Sequence, residues 1–247
     1  MAQIPLAKFI DTFVWYNSEP QQRKGIEALY AAMPSSLLEE DASWLTTYRE
    51  TPPVPPAPEW PVSKEQMAAI MSCSVGSLPD SLMDDYARCV ETFGMSRIEQ
   101  VYFLGQCGHE SCGLRYPMEI ASGADYEGRS DLGNTSPGDG VKYAGTGWIQ
   151  VTGRYWHQRF SDYLSSIGRG DSRVMSEGKT YTCDVYPWTI SGFWWQENQM
   201  KGFCQARQEC TNYQIDEVGA KVNGKMRPNG ADDRLVYTRR SIKQLGV

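Results

Sequence analysis

Residues 106–154 decide how this chain is read. They run Gln-Cys-Gly-His-Glu-Ser-Cys-Gly (106–113), then Tyr-Glu-Gly-Arg-Ser-Asp-Leu-Gly-Asn (126–134) and Pro-Gly-Asp-Gly (137–140). The stretch closes on Gly-Thr-Gly-Trp-Ile-Gln-Val-Thr-Gly-Arg (145–154). Carboxylates at Glu110, Glu119 and Glu127 are separated by glycine-rich turns and followed by the polar Gln150 and Thr152. Two carboxylates facing each other across a cleft are the usual apparatus for hydrolysing a glycosidic bond. One protonates the leaving oxygen and the other activates water or attacks the sugar. The stretch therefore reads as a glycan-cleaving site.

Helical punctuation surrounds it. Ser96-Arg97-Ile98-Glu99 has the form of a capping box, opening a helix through Val101, Tyr102, Leu104 and Gly105 to about Ser111. Gly113 and Pro117 stop that helix, so Glu110 lies in its last turn. There the negative end of the macrodipole disfavours a charged carboxylate, which suits a general acid. Upstream, Asp80 is placed as the cap of a segment carrying Leu82, Met83, Tyr86, Val90 and Phe93, ended by Gly94. Residues 113–147 are rich in Gly, Asp, Ser and Asn and read as a long functional loop region. Pro187 opens an aromatic helix with Trp188, Phe193, Trp194 and Trp195, and further helices are expected over about 214–222 and 231–244.

Residues 51–62 are proline-rich and read as a stiff, extended linker. It separates a small helical accessory module, residues 1–50, from a domain over residues 63–247. In the module Leu6, Phe9, Ile10 and Phe13 form one apolar stripe, and Ile26, Leu29, Tyr30 and Met33 another.

Composition narrows the function. With 40% hydrophobic and 22% charged residues, the 247-residue chain is globular, and no apolar run approaches the roughly 18–20 residues of a membrane span. A net charge of −6 argues against a nucleic-acid partner. Seven cysteines are an odd count, and the start lacks the pattern of a secretory leader. They read as reduced thiols of a protein that accumulates in the cytoplasm of the cell making it. Cys107-x-His109-x-x-Cys112 invites a zinc reading, but helical positions would point these side chains apart, and the one other histidine is His157. Neither a metal nor a cofactor is expected, and a cysteine nucleophile finds no supporting sequence context. The Trp and Tyr residues are divided between core and sugar-stacking faces in a way the sequence leaves open.

The order and wording of the motifs resemble the family 19 glycoside hydrolases, plant-type chitinases and related bacteriophage endolysins. Residues 145–154 match that family's Gly-Arg-Gly-x-Ile-Gln-[Leu/Ile]-[Ser/Thr]-Gly-Arg. Lys-Val-Asn-Gly (221–224) and Asp-Asp-Arg-Leu-Val-Tyr (232–237) resemble its Ile-Asn-Gly-Gly and Asp-Arg-x-x-[Phe/Tyr]. The resemblance spans residues 65–245. It implies a mainly α, lysozyme-like fold with a cleft between two lobes. Glu110 would be the general acid, Thr152 the holder of the attacking water, and Gln150, Asn223 and Tyr126 substrate contacts. Arg234 would be a partner of the catalytic carboxylate. An inverting scheme places the second carboxylate about 6.5–9.5 Å from the first. The nine-residue interval of phage members favours Glu119 for it, and the longer plant interval favours Glu127. The other would be a structural or substrate-contacting residue, with Arg129 as a partner. Two departures stand out: Thr146 replaces an arginine, and Tyr155-Trp156-His157 replaces Ala-Asn-Tyr, so the sugar contacts should differ.

Disulfides in the plant members set this chain beside the phage branch. The resemblance implies a monomeric endolysin acting on bacterial peptidoglycan after release from the infected host cell. It would cut β-1,4 links between N-acetylmuramic acid and N-acetylglucosamine. A chitinase is the nearest rival, and a non-catalytic wall-binding or virion structural protein a further one. Wording near the N-terminus is similar to modules fused to cyanobacterial and cyanophage wall enzymes.

Overall fold

The structure, a computed structural model, describes residues 5–10, 20–34, 38 and 62–247. The chain divides into two units, Met1–Ala57 and Pro58–Val247. In the first unit, α1 (Leu6–Ile10) and α2 (Pro20–Ala32) bury Phe9, Ile10 and Ile26 together with Leu38, and the Phe9 ring meets Tyr30 edge-on at 5.2 Å. Leu29, expected on the apolar stripe of α2, is instead 47% exposed. A core of four buried side chains needs only a narrow stripe. Phe13 and the linker over 51–62, Val62 excepted, lie outside the described residues.

The second unit is helical: α3 (Lys64–Met71), α4 (Asp80–Phe93), α5 (Arg97–Glu110), α6 (Asp139–Lys142), α7 (Arg154–Ser166), α8 (Arg173–Glu177) and α9 (Lys179–Val185). They are followed by α10 (Pro187–Glu197), α11 (Met200–Gln205), α12 (Asn212–Asn223) and α13 (Ala231–Leu245). Among the described residues there is no β-strand. Two isolated antiparallel bridges, Met118–Thr146 and Thr146–Val151, tie the long loop region together.

Helix α5 is the axis of this unit, buried without interruption from Glu99 to Gly108. Its glycines set how closely α13 approaches. A Cβ on Gly105 would sit 2.0 Å from the Thr238 hydroxyl, and one on Gly108 would sit 2.6 Å from the Tyr237 ring. No larger residue fits at either position, and this contact brings the start of α13 level with the end of α5. On the other side Trp188 of α10 packs against Tyr86, Trp148 and Phe103 at centroid distances of 5.0, 5.7 and 5.8 Å. Such rings bury large apolar areas, and truncating one costs about 3–5 kcal/mol.

The caps differ in part from expectation. Helix α4 starts at Asp80, whose side chain does not cap it and pairs with Lys64. The capping position falls on Pro79, which has no side-chain donor or acceptor, and the N-terminus of α4 is left to Asp80's charge. Gly94 ends the helix at φ 55°. Ser96 accepts from the Glu99 amide at 3.3 Å, but the return half of the box is not formed, because neither of the buried Glu99 carboxyl oxygens makes a contact with hydrogen-bond geometry. The N-terminus of α10 is capped from another helix. Asp85 of α4, 2% exposed, accepts from the Trp188 and Thr189 amides at 2.7 and 3.2 Å.

Candidate active site

Glu110 is the last residue of α5, and the turn that follows sends the chain back. The Ser111 hydroxyl donates to the Cys107 carbonyl at 2.6 Å and accepts from the Leu114 amide at 2.9 Å. Cys112, Gly113 and Leu114 all adopt positive φ, between 52° and 71°. Three successive left-handed residues reverse the direction of the backbone, so that Glu119 does not continue the helix.

Arg234, in the first turn of α13, meets Glu110. Its guanidinium donates to one Glu110 carboxylate oxygen, to Gln106 Oε1 at 2.5 Å and to the Asn229 carbonyl at 2.9 Å. Arg234 is 1% exposed, whereas the Glu110 side chain is 22% exposed. A buried cation is tolerable only when it is paired and hydrogen-bonded, and here each of the three guanidinium nitrogens has a partner. Glu110 keeps a face open to solvent. Its neighbour His109 turns away and pairs through Nδ1 with Asp233 at 2.8 Å.

Glu119 sits where the returning chain lies antiparallel to residues 145–146. Its amide donates to the Gly145 carbonyl at 2.9 Å, and its Oε2 accepts from the Gly145 amide at 2.9 Å. The Tyr126 hydroxyl donates to Oε1 at 2.9 Å. Burial, and secondly the carboxylate beside it, raise the pKa of that phenol, so Tyr126 acts here as a donor. A Cβ on Gly145 would lie 2.6 Å from Gln150 Oε1 and 3.1 Å from Glu119 Oε2, so a larger residue would displace the Gln150 side chain. Glu119 and Gln150 therefore converge on one backbone atom.

Gln150 adopts φ 59°, and its amide nitrogen donates to the Tyr116 and Gly147 carbonyls at 3.3 and 3.2 Å. Its hydrogens are committed to the backbone, leaving Oε1 to a ligand. The Thr152 hydroxyl donates to the Gln150 carbonyl at 3.0 Å. With its proton so placed, Thr152 offers lone pairs only, the arrangement that accepts a hydrogen from water. Asn223 uses Oδ1 to accept from the Asn229 amide at 2.9 Å, shaping the loop whose Asn229 carbonyl holds Arg234.

Glu127 is exposed and clamps the 137–140 turn, accepting from the Gly138 and Gly140 amides at 2.6 and 2.8 Å. Arg129, expected as a partner for a structural glutamate, pairs with Asp131 two residues on, the shortest reach for its fork. Asn134 was not among the residues singled out. It is fully buried, donating to the Tyr126 carbonyl at 3.0 Å and accepting from the Arg154 amide at 2.8 Å. It thereby ties the Tyr126 turn to the start of α7. Thr146 is buried and bonded to the Thr182 hydroxyl at 2.7 Å, in a space with no room for an arginine pointing the same way. His157 is buried as well, donating through Nδ1 to the Gly153 carbonyl at 2.9 Å. All seven cysteines are free thiols.

No family model matches the chain. A glycosyl hydrolase family 19 domain-containing protein from Haemophilus influenzae (strain Rd) is 25% identical over 171 residues, 57% of this chain and 76% of that protein. Among solved structures, a chitinase C mutant aligns with a TM-score of 0.56 at 16% identity, over 75% of this chain and 77% of that one. Chitinase C from Streptomyces griseus HUT6037 aligns at 0.52 and 17% identity, over 75% and 93% of the two chains. A bacterial family 19 chitinase aligns at 0.52 and 18% identity, over 75% and 95%. The fold is thus mainly α and lysozyme-like, of the kind these chitinases share. In sequence the chain is similar, at 25% identity, to that glycosyl hydrolase family 19 domain-containing protein.

Proposed function

We propose that the chain is a glycoside hydrolase of the family 19 type, an endolysin that cleaves β-1,4 links of bacterial peptidoglycan with inversion. The observation that carries this reading is the contrast between its two carboxylates. Glu110 ends a buried helix with one oxygen on a buried arginine and an open face. Glu119 lies on a separate element with both oxygens fixed by donors. In this reading Glu110 gives its proton to the glycosidic oxygen. Glu119 takes a proton from the attacking water, and Thr152 accepts that water's second hydrogen. Gln150 Oε1 and Asn223 face the sugar, and Glu127 holds the loop that presents Tyr126. The free thiols fit an enzyme made in the reducing cytoplasm of an infected cell and acting on the wall after release.

Chitin is the second reading, favoured by the solved neighbours being chitinases. Turbidity loss of outer-membrane-permeabilised cells, run beside hydrolysis of soluble chitin oligomers, separates the two. Inversion is read by NMR as α-anomer appearing first. Cleavage of chitin oligomers alone would make the protein a chitinase. Cleavage of neither would leave a wall-binding or structural protein.

A further inference from the structure

Gly113, three residues beyond Glu110, lines a concavity of about 530 Å³ between the end of α3 and the turn after α5. Ser72, Ser74, Ser77 and Arg115 supply its polar wall, with Leu78 and Leu114 as apolar lining. No acidic residue lines it. Ser77 spends its hydroxyl on the Ser74 carbonyl at 2.7 Å. The hydroxyls of Ser72 and Ser74 have no hydrogen bond among the described residues. Arg115, exposed like the three serines, has no ion pair or side-chain hydrogen bond there either; Arg169 and Arg227 share that state, whereas Arg129, Arg154, Arg173 and Arg207 each hold a carboxylate. A guanidinium without a counter-charge, in a pocket with free hydroxyls, is matched to a planar anion.

We propose that this pocket binds a carboxylate carried on the 3-O substituent of an N-acetylmuramic acid residue, either the lactyl carboxylate itself or that of an attached stem peptide. The proposal rests on the peptidoglycan reading above. Gly113, which lines the pocket, is three residues beyond Glu110, so their Cα atoms are no more than about 11 Å apart. A glycan bound at Glu110 has a neighbouring sugar within that reach. Chitin carries no carboxylate for the pocket to read. The chain is acidic overall, at −6, so its long-range field does not attract an anionic polymer, and recognition must be local.

The test is a calorimetric titration of the full-length protein with small ligands. They are N-acetylmuramic acid, muramyl dipeptide, their carboxamide counterparts, and the N-acetylglucosamine dimer. The wild type should bind at least one acid about tenfold more tightly than its amide, the gain of one charge-assisted contact. Arg115→Gln should abolish that preference, Arg115→Lys should restore part of it, and affinity for the neutral dimer should stay unchanged. Preference for N-acetylmuramic acid identifies the lactyl group, and preference confined to muramyl dipeptide identifies the stem. Absent binding, equal affinity for acid and amide, or a preference that persists in folded Arg115→Gln would overturn the proposal. Wall cleavage with no Arg115-dependent preference removes the pocket and leaves the activity standing. Arg115-dependent binding by a protein that cleaves nothing does the reverse.

Discussion

Arg234 and Glu110, 124 residues apart in sequence, meet through one guanidinium hydrogen bond, the arginine buried and the glutamate open on one side. Removing the guanidinium strands Glu110 and Gln106 without their shared donor. Arg234→Ala should therefore lower stability by about 3–5 kcal/mol, the cost of breaking a buried pair. Arg234→Lys keeps the charge but lacks the fork, and should fall between. Thermal melts give the ranking. Glu110→Gln, in contrast, should stay folded and lose about 10²–10⁴-fold in turnover. A folded Glu110→Gln variant with normal turnover would remove Glu110 from the chemistry.

The two remaining glutamates make opposite predictions. Glu119→Gln should nearly abolish hydrolysis, and Tyr126→Phe should reduce kcat by about ten- to a hundredfold through loss of a charge-assisted hydrogen bond. Glu127→Gln should act mainly on stability, since an amide oxygen can still accept from one of the two glycine amides. Measuring kcat and Tm for all three decides it. A larger kcat loss in Glu127→Gln than in Glu119→Gln would move the base role to Glu127.

Two buried groups pull the pH dependence of stability in opposite directions. Burial raises the Glu99 pKa to about 7, against weaker opposing effects of the Ser96 amide, Lys201 and Trp195. Burial lowers that of His157 to about 4, against the Gly153 carbonyl. Between about 4.5 and about 7 the folded protein holds a proton on Glu99 that the unfolded chain has lost, so this contribution falls as pH rises. Between about 6.5 and about 4 the unfolded chain binds a proton that buried His157 refuses, so this contribution falls as pH drops. Over their shared window the two offset each other. Glu99→Gln should unmask a stability that rises with pH from about 4 to 6.5, readable in urea midpoints. A profile unchanged by the substitution would contradict the assignment.

Asp85 caps α10 from across the core, and its loss should be felt there. Asp85→Ala leaves two buried amides and the Thr189 hydroxyl without an acceptor, and should cost about 3 kcal/mol. Hydrogen exchange should quicken first at Trp188 and Thr189. Uniform exchange along α10 would argue against a capping role.

The ends of α4, α5, α10, α12 and α13 were legible, because punctuation residues act locally, whereas α3, α6, α8, α9 and α11 were not foreseen. Gly94, Ser96, Gly113 and Pro187 each fix φ or supply a hydrogen bond within a few positions. Helix α7 escaped notice because it follows an uncapped glycine, and its buried stripe of His157, Phe160 and Leu164 includes a residue that reads as polar. Asn134 and Asp85 gave no signal, since a buried polar residue is recognisable only with its partners, and Asp85's lie more than 100 residues away. The carboxylates themselves were visible as residue types in a glycine-rich setting. Their surroundings were not: the Tyr126 and Gly145 donors on Glu119 depend on a bridge between distant segments.

The placement of Arg234 also has a consequence in time. At a synthesis rate of about 5–20 residues per second, Glu110 leaves the ribosome some 6–25 s ahead of the arginine that holds it, 124 residues later. Through that interval the groove into which α13 will pack, floored by Gly105 and Gly108, has no occupant. A nascent chain can fold α5 early, yet the Glu110–Arg234 pair is complete only after Arg234 has emerged. On the function proposed above, the site is thus assembled only when the last fifth of the chain is in place.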